Sequence, residues 1–308
     1  MQPQPNRMPS IRMHARIKAA YGLAMAGLAL ALLLLTHHAP RRVIEAELAI
    51  PAVLLLYGGG SVGALERKAA ETIPLAPLIA IVGCDGSGKS TLSAHMHALL
   101  AKDRAIDRCY LGLGSGELGN RIRELPLIGP AVEGLFARKA SQSRARDKVI
   151  PGLLTALVIF GFSLLRLRRF RRMLALRRQG VAVITDRYPQ TDVAGFYDGP
   201  GLSAARAGSS AVAWLAVRER RLYEWMAGFK PDIVLRLNVD ADTALLRKPD
   251  HKPDLLRAKV AATPLLRFQG ARIVDIDARA SAGEVLRTAL GLIEPVLSRA
   301  DRTGKSVR

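Results

Sequence analysis

Apolar residues fall in two kinds of run along this chain. Residues 19–36 (AAYGLAMAGLALALLLLT) and 48–65 carry no charge, and the first run reaches the lower limit of a membrane-spanning helix. The polar stretch 37–47 separates them, with Pro40, Arg41, Arg42, Glu45 and Glu47, while Pro51 and Gly58–Gly60 interrupt the second. This pattern predicts an N-terminal hydrophobic helical hairpin within residues 1–73. From Pro74 onward the apolar runs shorten. LIAIVG (78–83), RCYLG (108–112), VAVITD (181–186), IVLRLN (233–238) and RIVDID (272–277) have the length and composition of buried parallel strands. Helical patterns lie between them, at Thr91–Leu100 and at about 131–178, 208–229, 241–260 and 281–298. Strands alternating with helices predict an α/β fold, a parallel sheet covered on both faces. Residues 74–298 read as one such domain, and the polar residues 299–308 as a frayed tail.

The first strand runs into Gly83-Cys84-Asp85-Gly86-Ser87-Gly88-Lys89-Ser90-Thr91. This fits G-x-x-x-x-G-K-[ST] in its required setting, a strand before and a helix after. The glycines let backbone N–H groups turn inward around phosphates, and the helix beginning near Gly88 points its positive end at them. Lys89 adds a mobile positive charge over the β- and γ-phosphates, and Ser90 offers a hydroxyl to Mg²⁺. The cofactors implied are ATP and Mg²⁺. A second signal, Asp186-Arg187-Tyr188, ends the VAVIT run. Ligands of open α/β sheets bind beyond the carboxyl ends of the strands, so Asp186 should emerge beside the P-loop. There it can hold Mg²⁺ or orient an acceptor, and Arg187 can grip a phosphate with two hydrogen bonds. A capping Asp paired with a neighbouring Arg is the plainer alternative.

Charge adds a partner class. The 308 residues carry 46 basic and 26 acidic side chains, a formal net charge of +20. Such an excess calls for an anionic partner: nucleotide phosphate, nucleic acid or anionic lipid. Aromatic residues are only 5%, too few for a stacking platform, so no nucleic acid is expected. The two cysteines, Cys84 and Cys109, give neither a disulfide framework nor zinc spacing. His37–His38 and His95/His97 lack companion ligands and read as structural or surface residues.

VGCDGSGKSTL, ITDRYP, KPDIVLRLNVDADTALLRK and VDIDARASAGEVLRTAL occur in the order seen in thymidylate kinase-like proteins, and the chain resembles that family of P-loop nucleoside monophosphate kinases over roughly residues 76–298. The resemblance implies a P-loop kinase three-layer fold with a five-stranded parallel sheet and a mobile lid. It also implies transfer of the γ-phosphoryl group of ATP to a nucleoside monophosphate, a small phosphorylated acceptor. By position, Asp85 matches the loop acid that contacts the acceptor's sugar, and Arg187, with Tyr188 beside it, the arginine that holds the acceptor phosphate. Arg247 matches a catalytic lid arginine, with Lys248 and Lys252 as helpers. Lys89 and Asp186 complete the catalytic set. A homodimer is left open.

The chain also departs from the family. The Arg-Glu-Pro-Gly-Gly expected after the second strand is replaced by Leu111-Gly112-Leu113-Gly114-Ser115-Gly116, and the acid before the first P-loop glycine by Val82. The base-framing segment after Tyr188 is rewritten as Pro189 to Phe196. dTMP is therefore expected to be a poor acceptor. A sugar phosphate or a lipid-linked intermediate is the rival acceptor, and a non-catalytic nucleotide-binding membrane scaffold the rival without chemistry. The uncharged Val149–Leu165 precedes seven arginines within 166–178. This helix suits either the acceptor site or an anionic membrane face, with membrane lipid as a partner. For the N-terminus, a signal peptide or a single span would place the domain away from ATP, whereas a hairpin returns it to the cytoplasmic face of the cell membrane. Arg41 and Arg42 in the outer loop count against the hairpin, and apolar helices packed on the domain are the alternative.

Overall fold

The computed structural model describes residues 75–112, 152–195 and 198–305. The hairpin expected within residues 1–73 lies outside the described residues, as do 113–151, which include Leu113–Gly116 and the start of the helix expected from about 131. Among the described residues no helix is long and apolar enough to cross a membrane.

Five strands form one sheet: β1 (Leu78–Gly83), β2 (Ile106–Tyr110), β3 (Ala182–Asp186), β4 (Ile233–Asn238) and β5 (Ile273–Asp277). Their order is β2-β3-β1-β4-β5, and every pairing is parallel. LIAIVG and AVITD are buried along their whole length, as strands covered on both faces must be. Alternate residues separate the two faces. Ile79, Ile81, Ile184, Ile233 and Leu235 join a core cluster with Leu92 and Met96 of α1 (Lys89–Leu100) and with α6 (Ala282–Lys305). Helix α6 contributes Val285, Ala289, Ile293 and Leu297, an i, i+4 stripe that presents one face to the sheet. Leu78, Ala80 and Val183 are buried on the other side. There α2 (Leu153–Arg178) packs on β2 and β3 and against α3 (Ser210–Ala227). The sheet is the α/β architecture the strand pattern predicts.

The expected helix over 241–260 is instead two helices, α4 (Ala241–Arg247) and α5 (Pro253–Ala262). The cause is local. A residue before proline is pushed out of the helical region. Lys248 before Pro249 has φ −141°, ψ 68°, and Lys252 before Pro253 has φ −66°, ψ 124°. Pro253 then opens α5 at a first-turn position, where its missing N–H costs nothing. Boundaries also shift. Strand β2 begins at Ile106 rather than 108, and α6 continues past the expected end at 298 to Lys305.

Helix α2 packs its apolar half and two of its seven arginines into the core. Ala156 to Phe160 are buried, and so are Arg166 and Arg177. Arg177 Nε donates to Ala76 O at 2.6 Å, and its guanidinium lies 3.3 Å from Asp232. Asp232 in turn accepts from the Leu78 amide at 2.7 Å. This ties the start of β1 to the Pro-Asp before β4 and to the end of α2. Arg166 and Arg169 turn toward the carboxyl ends of the strands.

Candidate functional site

Strand β1 is central, so the loop that leaves it at Gly83 sits between the ends of β3 and β4. Gly86 has φ 85°, and a Cβ there would stand 2.8 Å from the Ala244 carbonyl oxygen of α4. Only glycine meets both demands. Gly86→Ala is expected to destabilise the chain by about 1–3 kcal/mol and to abolish nucleotide binding, because loop and α4 are forced apart. Thermal unfolding with and without ATP checks this, and a variant that binds ATP normally would contradict it.

Gly88 (φ 87°) precedes α1 and no side chain caps that helix. Its first amides therefore face the loop, the arrangement that binds phosphate at helix N-termini. Ser87 Oγ is buried within the loop without a protein partner. Lys89 Nζ is buried and donates to Cys84 O at 2.6 Å. Burial, with Arg187 nearby, lowers its pKa to about 8. Thr91 is exposed in the first turn of α1.

Asp186 arrives from β3, whose register sets Ile81 beside Asp186. Ser90 Oγ donates to Asp186 Oδ2 at 3.2 Å. Two residues 96 positions apart thus present hard oxygens side by side next to Lys89, a donor set that fits Mg²⁺. Burial raises the pKa of Asp186, against the opposing pull of Ser90, Arg187 and Lys89. Among the described residues no cluster of three or more His, Cys, Asp or Glu side chains offers a metal site made by protein alone.

The remaining sequence-derived residues separate. Asp85 pairs with Arg187 at 3.3 Å and with Lys259 of α5, and His251 Nε2 lies 3.7 Å from it. Burial opposes the charge of Asp85, but Lys259, Lys89 and Arg187 hold its carboxyl well below the usual range. Arg187 itself sits at φ 60°, a left-handed conformation rare outside glycine. Tyr188 is a wall residue. Its hydroxyl donates to Phe229 O, and its ring packs 5.8 Å from Phe170 and 6.4 Å from Phe268, centre to centre. Arg247 donates to Ala278 O at 2.8 Å and reaches Gly86 O at 3.4 Å. It therefore braces the loop from outside, whereas Lys248 and Lys252 are exposed.

A cavity of about 140 Å³ runs from the P-loop inward. Asp85, Lys89 and Arg187 line it, as do Ser163, Arg166, Glu219 and Tyr223. Ile159, Phe162, Leu255, Leu266 and Phe268 form apolar walls. Arg166 is held by Asp198, and Arg169 donates to Gly112 O. Arginines of α2 therefore occupy the neighbourhood where the loop after β2 lacks one. Glu219 is fully buried, accepting from Ser163 Oγ and from the Leu202 amide, both at 2.6 Å. Burial pushes its pKa up to about 7.

No protein-family model matches the chain. It is 44% identical over 222 residues to the uncharacterized ATP-binding protein YghS of Escherichia coli (strain K12), covering 72% of this chain and 94% of that protein. It is 41% identical over 226 residues to the uncharacterized ATP-binding protein YghR of the same strain, covering 73% of this chain and 90% of that protein. The chain belongs to the YghS/YghR family. Within that family member, the P-loop, Asp186 and the arginines of α2 are assembled on one parallel sheet. Lys259, Asp198 and Glu219 had no motif to announce them, and Arg166 stood only as one of the seven arginines of 166–178. Lys259 follows Leu255 by one helical turn, so its place on the inward face of α5 is readable only once Pro249 and Pro253 have set the start of that helix.

Proposed function

We propose that this chain is an ATP-dependent phosphotransferase that moves the γ-phosphoryl group of ATP to a small phosphorylated acceptor held in the cavity behind the P-loop. One observation carries the reading. Ser90 and Asp186 meet at 3.2 Å beside Lys89, and the cavity that Lys89 lines is also lined by Arg166. The P-loop thus adjoins a cavity with its own cations. The names of the relatives support the donor, ATP. Bound Mg²⁺, held by Ser90 and Asp186, would neutralise charge on the β- and γ-phosphates. Lys89 and Arg187 stabilise negative charge that develops during transfer, and Arg247 fixes the loop they act from. Asp85 positions Arg187 and Lys259 at the mouth of the cavity.

The resemblance to thymidylate kinase-like proteins favours a nucleoside monophosphate as acceptor. The segment after Tyr188 favours a different phosphorylated acceptor, such as a sugar phosphate or a lipid-linked intermediate. After Tyr188, the Gln190 amide is occupied with Val193, donating to its carbonyl at 2.7 Å and accepting from its amide at 2.8 Å. Asp192 accepts from the amides of Arg267 and Phe268. Polar side chains that could frame a base are thus bound to backbone, and a site lacking such partners discriminates weakly. ADP release should therefore depend on an acceptor, with kcat/KM for dTMP below about 10⁴ M⁻¹s⁻¹ and below that of another phosphate monoester. A dTMP value above this and above all competitors would make the chain a plain thymidylate kinase. ADP release indifferent to every acceptor would favour the scaffold reading.

The N-terminal segments 19–36 and 48–65 are proposed to anchor the chain at the cytoplasmic face of the membrane. The full chain should then sediment with membranes and resist high salt, which screens surface charge but not inserted apolar helices. Recovery as a soluble protein without detergent would refute the anchor.

A further inference from the structure

Asp198 lines the cavity beside Arg166. Its Oδ1 accepts from Arg166 Nη2 at 2.5 Å, and its carbonyl accepts from Arg166 Nη1 at 2.8 Å. The Arg166 side chain is 1% exposed and that of Asp198 13%. Nε of Arg166 is buried with no partner, so one donor of the fork is unspent. The other acid nearby, Glu219, is occupied by Ser163 and the Leu202 amide. Asp198 is therefore the counter-ion of Arg166. Arg166, Arg187, Lys89 and Asp198 all line the one cavity. The carboxylate is presented from a backbone at φ 68°, a left-handed conformation that an aspartate adopts at some cost.

We propose that Asp198 is an internal counter-ion of Arg166 in the cavity that Arg187 also lines, that the acceptor's phosphate displaces it, and that it thereby sets the charge an acceptor must carry. The inference rests on the reading of this cavity as the acceptor site. A monoanion that takes the place of Asp198 exchanges one negative charge for another and still loses the entropy of association. A phosphate monoester is close to a dianion above pH 7, so it brings an extra charge to the same arginines and the unspent Nε. Asp198 thus selects monoesters over diesters, carboxylates and neutral hydroxyl compounds. This is specificity by an internal competitor that wrong ligands fail to outbid.

The test is calorimetric titration of the full chain at pH 8, saturated with Mg-ADP, using methyl phosphate as dianion and dimethyl phosphate as monoanion. Wild type binds methyl phosphate in preference to dimethyl phosphate. Asp198→Asn binds both, with methyl phosphate tightened roughly tenfold, the scale of one charge-assisted hydrogen bond. Adding Arg166→Gln removes the gain, which locates it at this seat rather than in the P-loop. A parallel ADP titration reports the P-loop alone, so loss of ADP binding would count against the ATP reading while the Arg166-dependent difference still judges Asp198. A folded Asp198→Asn that binds methyl phosphate no tighter than wild type, or a gain that survives Arg166→Gln, overturns the proposal. A second measurement needs no variant. Carbodiimide labelling of Asp198 in wild type, followed by peptide mass mapping, should rise when methyl phosphate saturates the site. Unchanged labelling at saturation also overturns it.

Discussion

Lys89→Met is expected to lower ATP-dependent transfer by about 10³-fold without lowering the thermal stability of the chain. The two halves of this expectation have one origin. Lys89 is buried, and burial together with Arg187 lowers its pKa to about 8 from the 10.5 of a free lysine. A depressed pKa in a base means that the folded state holds the charge at a disadvantage, on the order of 3 kcal/mol below pH 8. Methionine keeps the length and volume of the side chain and removes that disadvantage. It also removes the bond to Cys84 O, whose loss costs a comparable amount, so near-neutrality is the net expectation at pH 7. The pH dependence is sharper. Between about pH 8 and 10.5 the unfolded wild type holds a proton at this position that the folded protein has released, so this contribution to stability rises with pH across the window. Lys89→Met lacks that rise. Thermal unfolding of both proteins at pH 7 and pH 10 checks it. A variant that unfolds far below wild type at pH 7, or that keeps the rise, would make Lys89 a structural pillar rather than a phosphate ligand.

Asp186→Asn is expected to lower turnover by about 10²–10³-fold while ATP affinity measured without Mg²⁺ changes little. The amide keeps the shape of the carboxyl and can still accept from Ser90 Oγ, now at 3.2 Å. It loses the negative charge that, with Ser90, would hold Mg²⁺. Burial already presses this carboxyl toward its neutral form, so removing the charge should not weaken the fold. Single-turnover rates beside equilibrium ATP binding separate the two effects. If ATP affinity collapsed while turnover of bound nucleotide was unchanged, the role given to Asp186 would be wrong.

What could be read from the sequence was what local chemistry dictates. The P-loop and its flanking strand and helix are contiguous, and glycine, lysine and serine at that spacing have few other uses. Asp186 was legible through a rule of topology, because residues at the carboxyl ends of neighbouring parallel strands must meet. The break at Pro249 and Pro253 was equally local and should have divided 241–260, since both residues before proline are forced out of helical geometry. The pairings around the cavity were not legible. Ser163 and Glu219 are 56 positions apart and Lys259 and Asp85 174 apart, and no short-range pattern links them. Arg166 looked like one arginine among seven. Only the packing of α2 against the sheet shows that it turns inward while its neighbours serve other contacts. Tyr188 stood next to Arg187 in the motif, yet its hydroxyl went to Phe229 and its ring to an aromatic cluster, so adjacency in a motif did not mean a shared role.

The central claim is transfer, not hydrolysis, and the γ-phosphoryl group can be followed directly. The full chain, incubated with Mg²⁺, γ-labelled ATP and a panel of phosphate monoesters that includes nucleoside monophosphates and sugar phosphates, should move label onto at least one acceptor, with one ADP formed per labelled product, and Lys89→Met should not. Label found only in inorganic phosphate at the same rate with and without acceptors, or remaining in ATP with every monoester tested, would contradict the account.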